Sequence, residues 1–77
     1  MSKFIVDTTH SEIINKDLVV RIYLSYGEAG YFICADMANQ KSIAIGKYDT
    51  KDRATEAFDE ILRDELESNE EMYYIPR

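Results

Sequence analysis

"YDTKDRATEAFDEILRDEL", residues 48–66, decides the fold of this 77-residue chain. Ala54, Ala57, Phe58, Ile61, Leu62 and Leu66 recur at intervals of three and four, so a helix through this stretch carries one unbroken apolar stripe. Thr50 stands where an N-cap hydroxyl accepts from the free amides of the first turn, with Asp49 as the competing cap, and Asp52 lies at the positive end of the helix dipole. Arg63, four residues after Asp59, makes a mild pair with it. "SNEE", residues 68–71, ends the helix, because serine and asparagine compete with the backbone for hydrogen bonds. A helix with a single apolar stripe has to bury it against something, and the rest of the chain reads as strands.

The clearest strand is "LVVRIYLSY", residues 18–26, in which strict alternation puts Leu18, Val20, Ile22 and Leu24 on one face and Val19, Arg21, Tyr23 and Ser25 on the other. "GEAG", 27–30, is a hairpin loop whose glycines allow positive φ. "YFICADM", 31–37, returns as the next strand, and "SIAIGKY", 42–48, follows, with the small Ala44 and Gly46 opposing Ile43 and Ile45 so that another element can approach closely. "KFIVDTT", 3–9, and "SEII", 11–14, are shorter β-rich runs closed by the turn-like "NKD". "MYYIP", 72–76, reads as a short C-terminal edge strand, where Pro76 is tolerated. The predicted class is α+β: an antiparallel β-meander of three to five strands packed on one amphipathic α-helix, forming a single domain over residues 1–77. That length is near the limit at which one core is sufficient, and a partner chain often helps.

One helix covers one face of such a sheet, yet the strands are apolar on both. Val19, Arg21, Tyr23 and Phe32, with Cys34, fall opposite the helix-facing set, which is more apolar surface than a solvated face needs. Either the N-terminal strand or C-terminal tail folds over it, or a homodimer or higher oligomer forms through it.

Charge is distributed unevenly. The formal net charge is −6. Residues 1–55 carry seven acidic and seven basic side chains and sum to zero, whereas Glu56 to Glu71 contains eight acids against Arg63 alone. This asymmetry argues against direct nucleic-acid binding, which requires a basic stripe to displace counterions. An acidic patch suits a protein partner with a basic surface, or serves solubility alone. Asp52, Glu56, Asp59, Glu60, Asp64 and Glu67 lie on or near the face away from the apolar stripe, along a rod of roughly 24 Å at a helical rise of ~1.5 Å per residue. Carboxylates spaced about 6 Å apart imitate a sparse row of phosphates, spaced ~3.4 Å along each DNA strand, and could enter a basic channel.

The residues Gly46, Tyr48, Thr50, Ala54, Ile61, Tyr74 and Pro76, spread through "IAIGKYDTKDRATEAFDEI" and "MYYIP", form a pattern that resembles small uncharacterised phage and prophage proteins of Gram-positive bacteria. Those proteins have two or three strands, a Gly-x-Tyr-x-Ser/Thr segment, an amphipathic helix containing alanine, and a terminal Tyr-x-Met-Pro. The likeness covers about residues 13–76 and departs from the pattern at Ile75, where methionine is usual. It implies a phage origin and a role in binding a host protein, with inhibition or counter-defence as the typical outcome; it brings no activity with it.

Enzymatic chemistry is not expected. His10, the only histidine, sits in the polar stretch "TTHSE" and reads as an exposed loop residue more readily than as a base for Thr8, Thr9 or Ser11. Cys34, the only cysteine, lies mid-strand between Ile33 and Ala35, where a thiol is packing material. One cysteine excludes an internal disulfide framework and fits a reducing compartment. Two such ligands do not make a structural zinc site, "DEILRDELESNEE" lacks a calcium-loop spacing, and no glycine-rich phosphate loop opens the helix. No cofactor is expected. Without a signal-like leader or an apolar run of ~20 residues, the expected location is cytoplasmic, with no membrane partner.

Two functional readings follow. In the first, the chain is a non-enzymatic interaction module that binds, and inhibits, a host protein through Glu56, Asp59, Glu60, Asp64 and Glu67. In the alternative, an oligomer binds or sequesters a small anion or nucleotide in a pocket lined by Tyr23, Tyr31 and Tyr48, with Arg21 or Lys47 holding the charge.

Overall fold

The computed structural model of the chain describes residues 3–67 and 71–77, the side chains of 65–67 excepted. Its elements follow in the order β1 (Phe4–Val6), β2 (Ile13–Asn15), β3 (Val19–Gly27), β4 (Gly30–Met37), β5 (Ser42–Tyr48), α1 (Lys51–Glu67) and β6 (Met72–Tyr74), with a turn of 3-10 helix at Lys16–Leu18. The class is α+β, with α1 lying across β3, β4 and β5.

The strands divide into two three-stranded sheets. β3, β4 and β5 form the antiparallel meander, whereas β1 pairs antiparallel with β2 and parallel with β6 in a separate sheet. The terminal strands therefore do not extend the meander; they pair with one another, and β6 takes an edge position. A parallel pair needs a long crossover, and here most of the chain serves as that connection. Ile5, Ile14 and Tyr73 from the small sheet, with Ile75 just beyond β6, meet Ile33, Ala35, Ile45 and Tyr48 from the meander and Ala54, Ala57 and Ile61 from the helix in one buried cluster. Burial at ~25 cal/mol per Å² of apolar area is the main favourable term holding these layers together.

Two irregularities in the meander change what its faces carry. Val19 pairs with Met37 and Arg21 with Asp36, so Val20 is an extra residue with no partner on β4. A β-bulge of this kind reverses the side-chain phase on one side of it. Val19 consequently packs against the core with Ile22 and Leu24, and Val20 is 72% exposed. The expected grouping of Val20 with Ile22, and of Val19 with Arg21 and Tyr23, is reversed at these two valines. On β5 the pairing shifts between Ile33 opposite Gly46 and Cys34 opposite Ala44, leaving Ile45 as the extra residue. Ile45 and Gly46 are both buried, and the Ile45 carbonyl accepts from the Thr8 amide at 3.0 Å, which ties the small sheet to the meander. The neighbour that requires a glycine at position 46 is the ring of Tyr48, since a Cβ there would lie 2.7 Å from its hydroxyl oxygen.

Thr50 caps α1. Its hydroxyl accepts from the Arg53 amide at 3.2 Å and its carbonyl from the Ala54 amide at 3.1 Å. Ala54 and Ala57 are fully buried, and their small size seats the helix close on the sheet, with Ile61 beside them and Phe58 partly covered. Leu62 differs from the predicted stripe: it is 54% exposed. It stands ~100° round the helix from Ile61, on the margin of a stripe centred on the alanines. Leu66 and Glu67 lie outside the described side chains, and Ser68 and Asn69 outside the described residues.

Candidate interaction surfaces

The outer side of α1 carries the predicted carboxylates. Asp52, Glu56 and Asp59 are exposed, Glu60 and Asp64 half-buried; the side chain of Glu67 is among those not described. The row is not bare of positive charge. Arg53, on the same helix, donates to Glu56 at 3.0 Å and to Glu60 at 3.5 Å, while its guanidinium also donates to the Arg77 carbonyl. Arg63 pairs with Asp64 at 3.2 Å. An ion pair with one partner as exposed as Glu56 contributes only ~0–1 kcal/mol, so a partner's cations could compete with Arg53 for it.

Arg53 belongs to a C-terminal clasp that the sequence did not announce. The Tyr48 hydroxyl donates to the Pro76 carbonyl and the Ile75 amide to the Val6 carbonyl at 3.0 Å. The tail is thus fixed against the small sheet and the helix, and not over the outer face of the meander. Burial pushes the Tyr48 hydroxyl above its ordinary titration range; Arg53 lowers it and Glu60 raises it. The group remains a donor at neutral pH.

The outer face of the meander is a mixed surface. Arg21, Asp36 and Ser42 face one another across the three strands, as do Tyr23, Cys34 and Ala44, and Ser25, Phe32 and Lys47. Arg21 bridges Asp36 at 2.6 Å and stacks over the Tyr23 ring at 4.5 Å. Burial raises the Cys34 thiol, the Asp36 carboxylate raises it further, and Tyr23 opposes both, so the thiol stays protonated at neutral pH. Of the residues expected on this face, Arg21, Tyr23 and Phe32 share it; Val19 does not.

That geometry also separates the residues of the tyrosine pocket. Tyr31 packs against the core and Tyr48 is 4% exposed within it, on the opposite side of the sheet from Tyr23. Arg21 is engaged with Asp36. Lys47 instead borders a polar hollow of about 460 Å³ with Thr8, Thr9, Asp49 and Arg77. Within one chain, then, Tyr23 does not share a face with Tyr31 and Tyr48.

His10 is exposed, has a φ of 58° and meets Tyr74 edge-on at 5.5 Å between ring centroids. Its neighbour Asp7 is the buried polar group that sequence reading overlooked. The Asp7 carboxylate accepts from the amides of Ser11 and Glu12 at 2.9 and 3.3 Å and from the hydroxyls of Thr9 and Ser11 at 3.1 Å each. Burial alone would raise its pKa, but these four donors outweigh it and hold the carboxyl below its usual range. The signal was present in "DTTHSE": aspartate followed by hydroxyl residues is a side-chain-closed turn. The hydroxyls are committed to this turn, with Thr9 and Ser11 also 2.6 Å apart, which gives them a structural task.

A further surface was also missed. Val19, Val20, Arg21 and Ile22 of β3 and Phe58, Ile61 and Leu62 of α1 line an apolar groove of about 370 Å³. Leu18, 51% exposed, lines a separate, smaller hollow with Met37, Ala38 and Asn39.

Among the described residues no three His, Cys, Asp or Glu side chains converge as a metal site, and no helix is long and apolar enough to cross a membrane. No protein-family model, curated protein or solved structure matches the chain.

Proposed function

We propose that the protein is a non-enzymatic interaction module whose acidic helix face binds a basic surface on another protein. The observation that supports this most directly is the stance of α1: Ala54, Ala57 and Ile61 are buried while Asp52, Glu56 and Asp59 are exposed on the far side. Steering by such a face raises association rates and falls with ionic strength. The local chemistry also favours a binding role. His10 contacts Tyr74, the hydroxyls near it close the Asp7 turn, and Cys34 is held as a thiol on a different sheet. Among the described residues, the Cys34 thiol and the Thr9 and Ser11 hydroxyls are thus engaged in these other settings.

The resemblance to small phage proteins directs the search to proteins of a Gram-positive host, with inhibition as the expected consequence of occupying a basic channel. The test is affinity capture from such a lysate at low and high salt, using wild type and the variant Glu56→Lys, Asp59→Lys, Asp64→Lys. A partner retained at low salt by wild type alone, and lost as salt rises over about a Debye-length change from ~10 to ~3 Å, is the expected result. A partner held equally by the charge-reversed variant overturns the assignment to this face.

A further inference from the structure

We infer that β3 is the edge through which two copies of this chain associate, forming a continuous six-stranded sheet about a two-fold axis. The first ground is the inventory of open edges. β5 is partly occupied by the Thr8 amide on the Ile45 carbonyl, and β2 and β6, the edges of the small sheet, are three residues each. β3 is nine residues long, lies at the margin of the meander and carries one charge, Arg21, which is engaged with Asp36. Long apolar edges with few charges invite pairing. The bulge at Val20 protects only the start of the strand, and Ile22 to Gly27 leaves six paired residues without a register shift, about 20 Å of edge.

The second ground is an apolar groove at the Val19–Ile22 end of this edge. Val20 and Leu62 are 72% and 54% exposed, and with Phe58 they form an apolar wall and floor just beyond the paired span, where the β3–β4 hairpin end of a second copy would lie. The third ground chooses the occupant. From α1 the groove is lined by Phe58, Ile61 and Leu62, whereas Glu56 and Glu60 meet Arg53, which also donates to the Arg77 carbonyl. A foreign basic segment is therefore drawn to the other flank of the helix, while a second copy can meet the groove without bringing those carboxylates together. Two antiparallel β3 strands exchange donors and acceptors reciprocally, so one sequence satisfies both sides of the new pair. Reversal of direction also brings the Lys51 end of one helix, which lies over Tyr26, toward the Phe58–Leu62 end of the other, where Asp59 is exposed.

The experiment is sedimentation equilibrium with amide hydrogen exchange on the whole chain. Wild type should show a mass of twice 8.9 kDa, with every amide from Ile22 to Tyr26 protected at high concentration and alternate ones exchanging on dilution. Val20→Lys combined with Leu62→Lys, both at exposed positions, should keep the wild-type circular dichroism and raise the dimer dissociation constant by about thirtyfold, the effect of removing one hot-spot contact. Phe32→Ser, on the outer face, should leave the dimer intact. A monomer throughout, or a dimer broken by Phe32→Ser and not by the lysine pair, overturns the inference. Because this edge is apolar, association should persist at high salt, which separates its outcome from that of the acidic face.

Discussion

Replacing Gly46 by alanine tests the packing that joins the meander to the tail. A Cβ at position 46 would lie 2.7 Å from the Tyr48 hydroxyl oxygen, 2.9 Å from Cε2 and 3.1 Å from Cζ. Carbon contacts settle at ~3.5–4.0 Å, so the ring must retreat by nearly an ångström. It has nowhere free to go: Tyr48 is 4% exposed, and its hydroxyl is held by the Pro76 carbonyl. Overpacking costs about 1–3 kcal/mol and loss of the tether about 1 kcal/mol. Against this, alanine recovers roughly 0.4–1 kcal/mol by restricting the unfolded chain. The net loss is about 1–3.5 kcal/mol, and at ~4–8 °C per kcal/mol for a domain of this size the melting temperature should fall by about 4–28 °C.

The assay is thermal unfolding followed by circular dichroism, on Gly46→Ala, Tyr48→Phe and the double variant. Tyr48→Phe alone should cost about 1 kcal/mol. In the Tyr48→Phe background the shortest clash disappears, so Gly46→Ala should cost less there than in wild type, a non-additivity expected of residues in contact. If Gly46→Ala melts at the wild-type temperature, or costs the same in both backgrounds, the account of this junction is wrong.

Asp7 should contribute to acid sensitivity, as should Asp36, whose carboxyl pKa is lowered by its hydrogen bonds from Ser42 and Arg21. The folded pKa of Asp7 is depressed, so its contribution is present above the unfolded value of ~3.9 and is lost as pH falls through the lower folded value; Asp7→Asn should partly flatten denaturant stability between pH 5 and pH 2 and lower it at pH 7. Tyr48 gives the opposite sign: its raised folded pKa favours folding fully below the unfolded value of ~10 and loses that advantage as pH rises through the folded one, which Tyr48→Phe should abolish. Thr50→Ala removes the acceptor for the Arg53 amide and should cost about 1 kcal/mol in urea titrations, with Thr50→Asp close to neutral.

The helix was legible because its signals are local and agree: a periodic stripe, a threonine cap and an acidic first turn. The bulges were not. Val20 and Ile45 are ordinary strand residues, and nothing in their identity marks an extra position, yet each resets the alternation from which face assignments are drawn. Val19 was placed on the outer face for that reason. The pairing of β1 with β6 was illegible for a different one: three-residue strands 68 residues apart in register, such as Ile5 with Tyr73, carry no local mark of their partner. Leu62 satisfied the spacing rule but not the geometry, because spacing counts members of a stripe without locating its centre. Had Ala54 and Ala57 been weighted as the contact line, Leu62 would have read as a margin residue and the groove beside β3 would have followed.

Placing alanines at the centre of the stripe has a functional consequence as well as a packing one. Close seating of α1 leaves its two flanks at the level of the sheet, and the chain uses them differently. On one flank Arg53 gathers Glu56, Glu60 and the Arg77 carbonyl, so the tail and the acidic row are coupled through a single guanidinium. A basic partner that takes Glu56 from Arg53 would leave that guanidinium more fully to the tail, and the tail is part of the fold's closure through Ile75 and Tyr48. On the other flank Leu62 and Phe58 stand beside an open strand, where salt has little purchase. On the reading proposed above, contacts on the two sides of one helix would therefore differ in their sensitivity to ionic strength, the acidic side weakening with salt and the apolar side changing little, and a partner at the first would not have to displace a copy at the second.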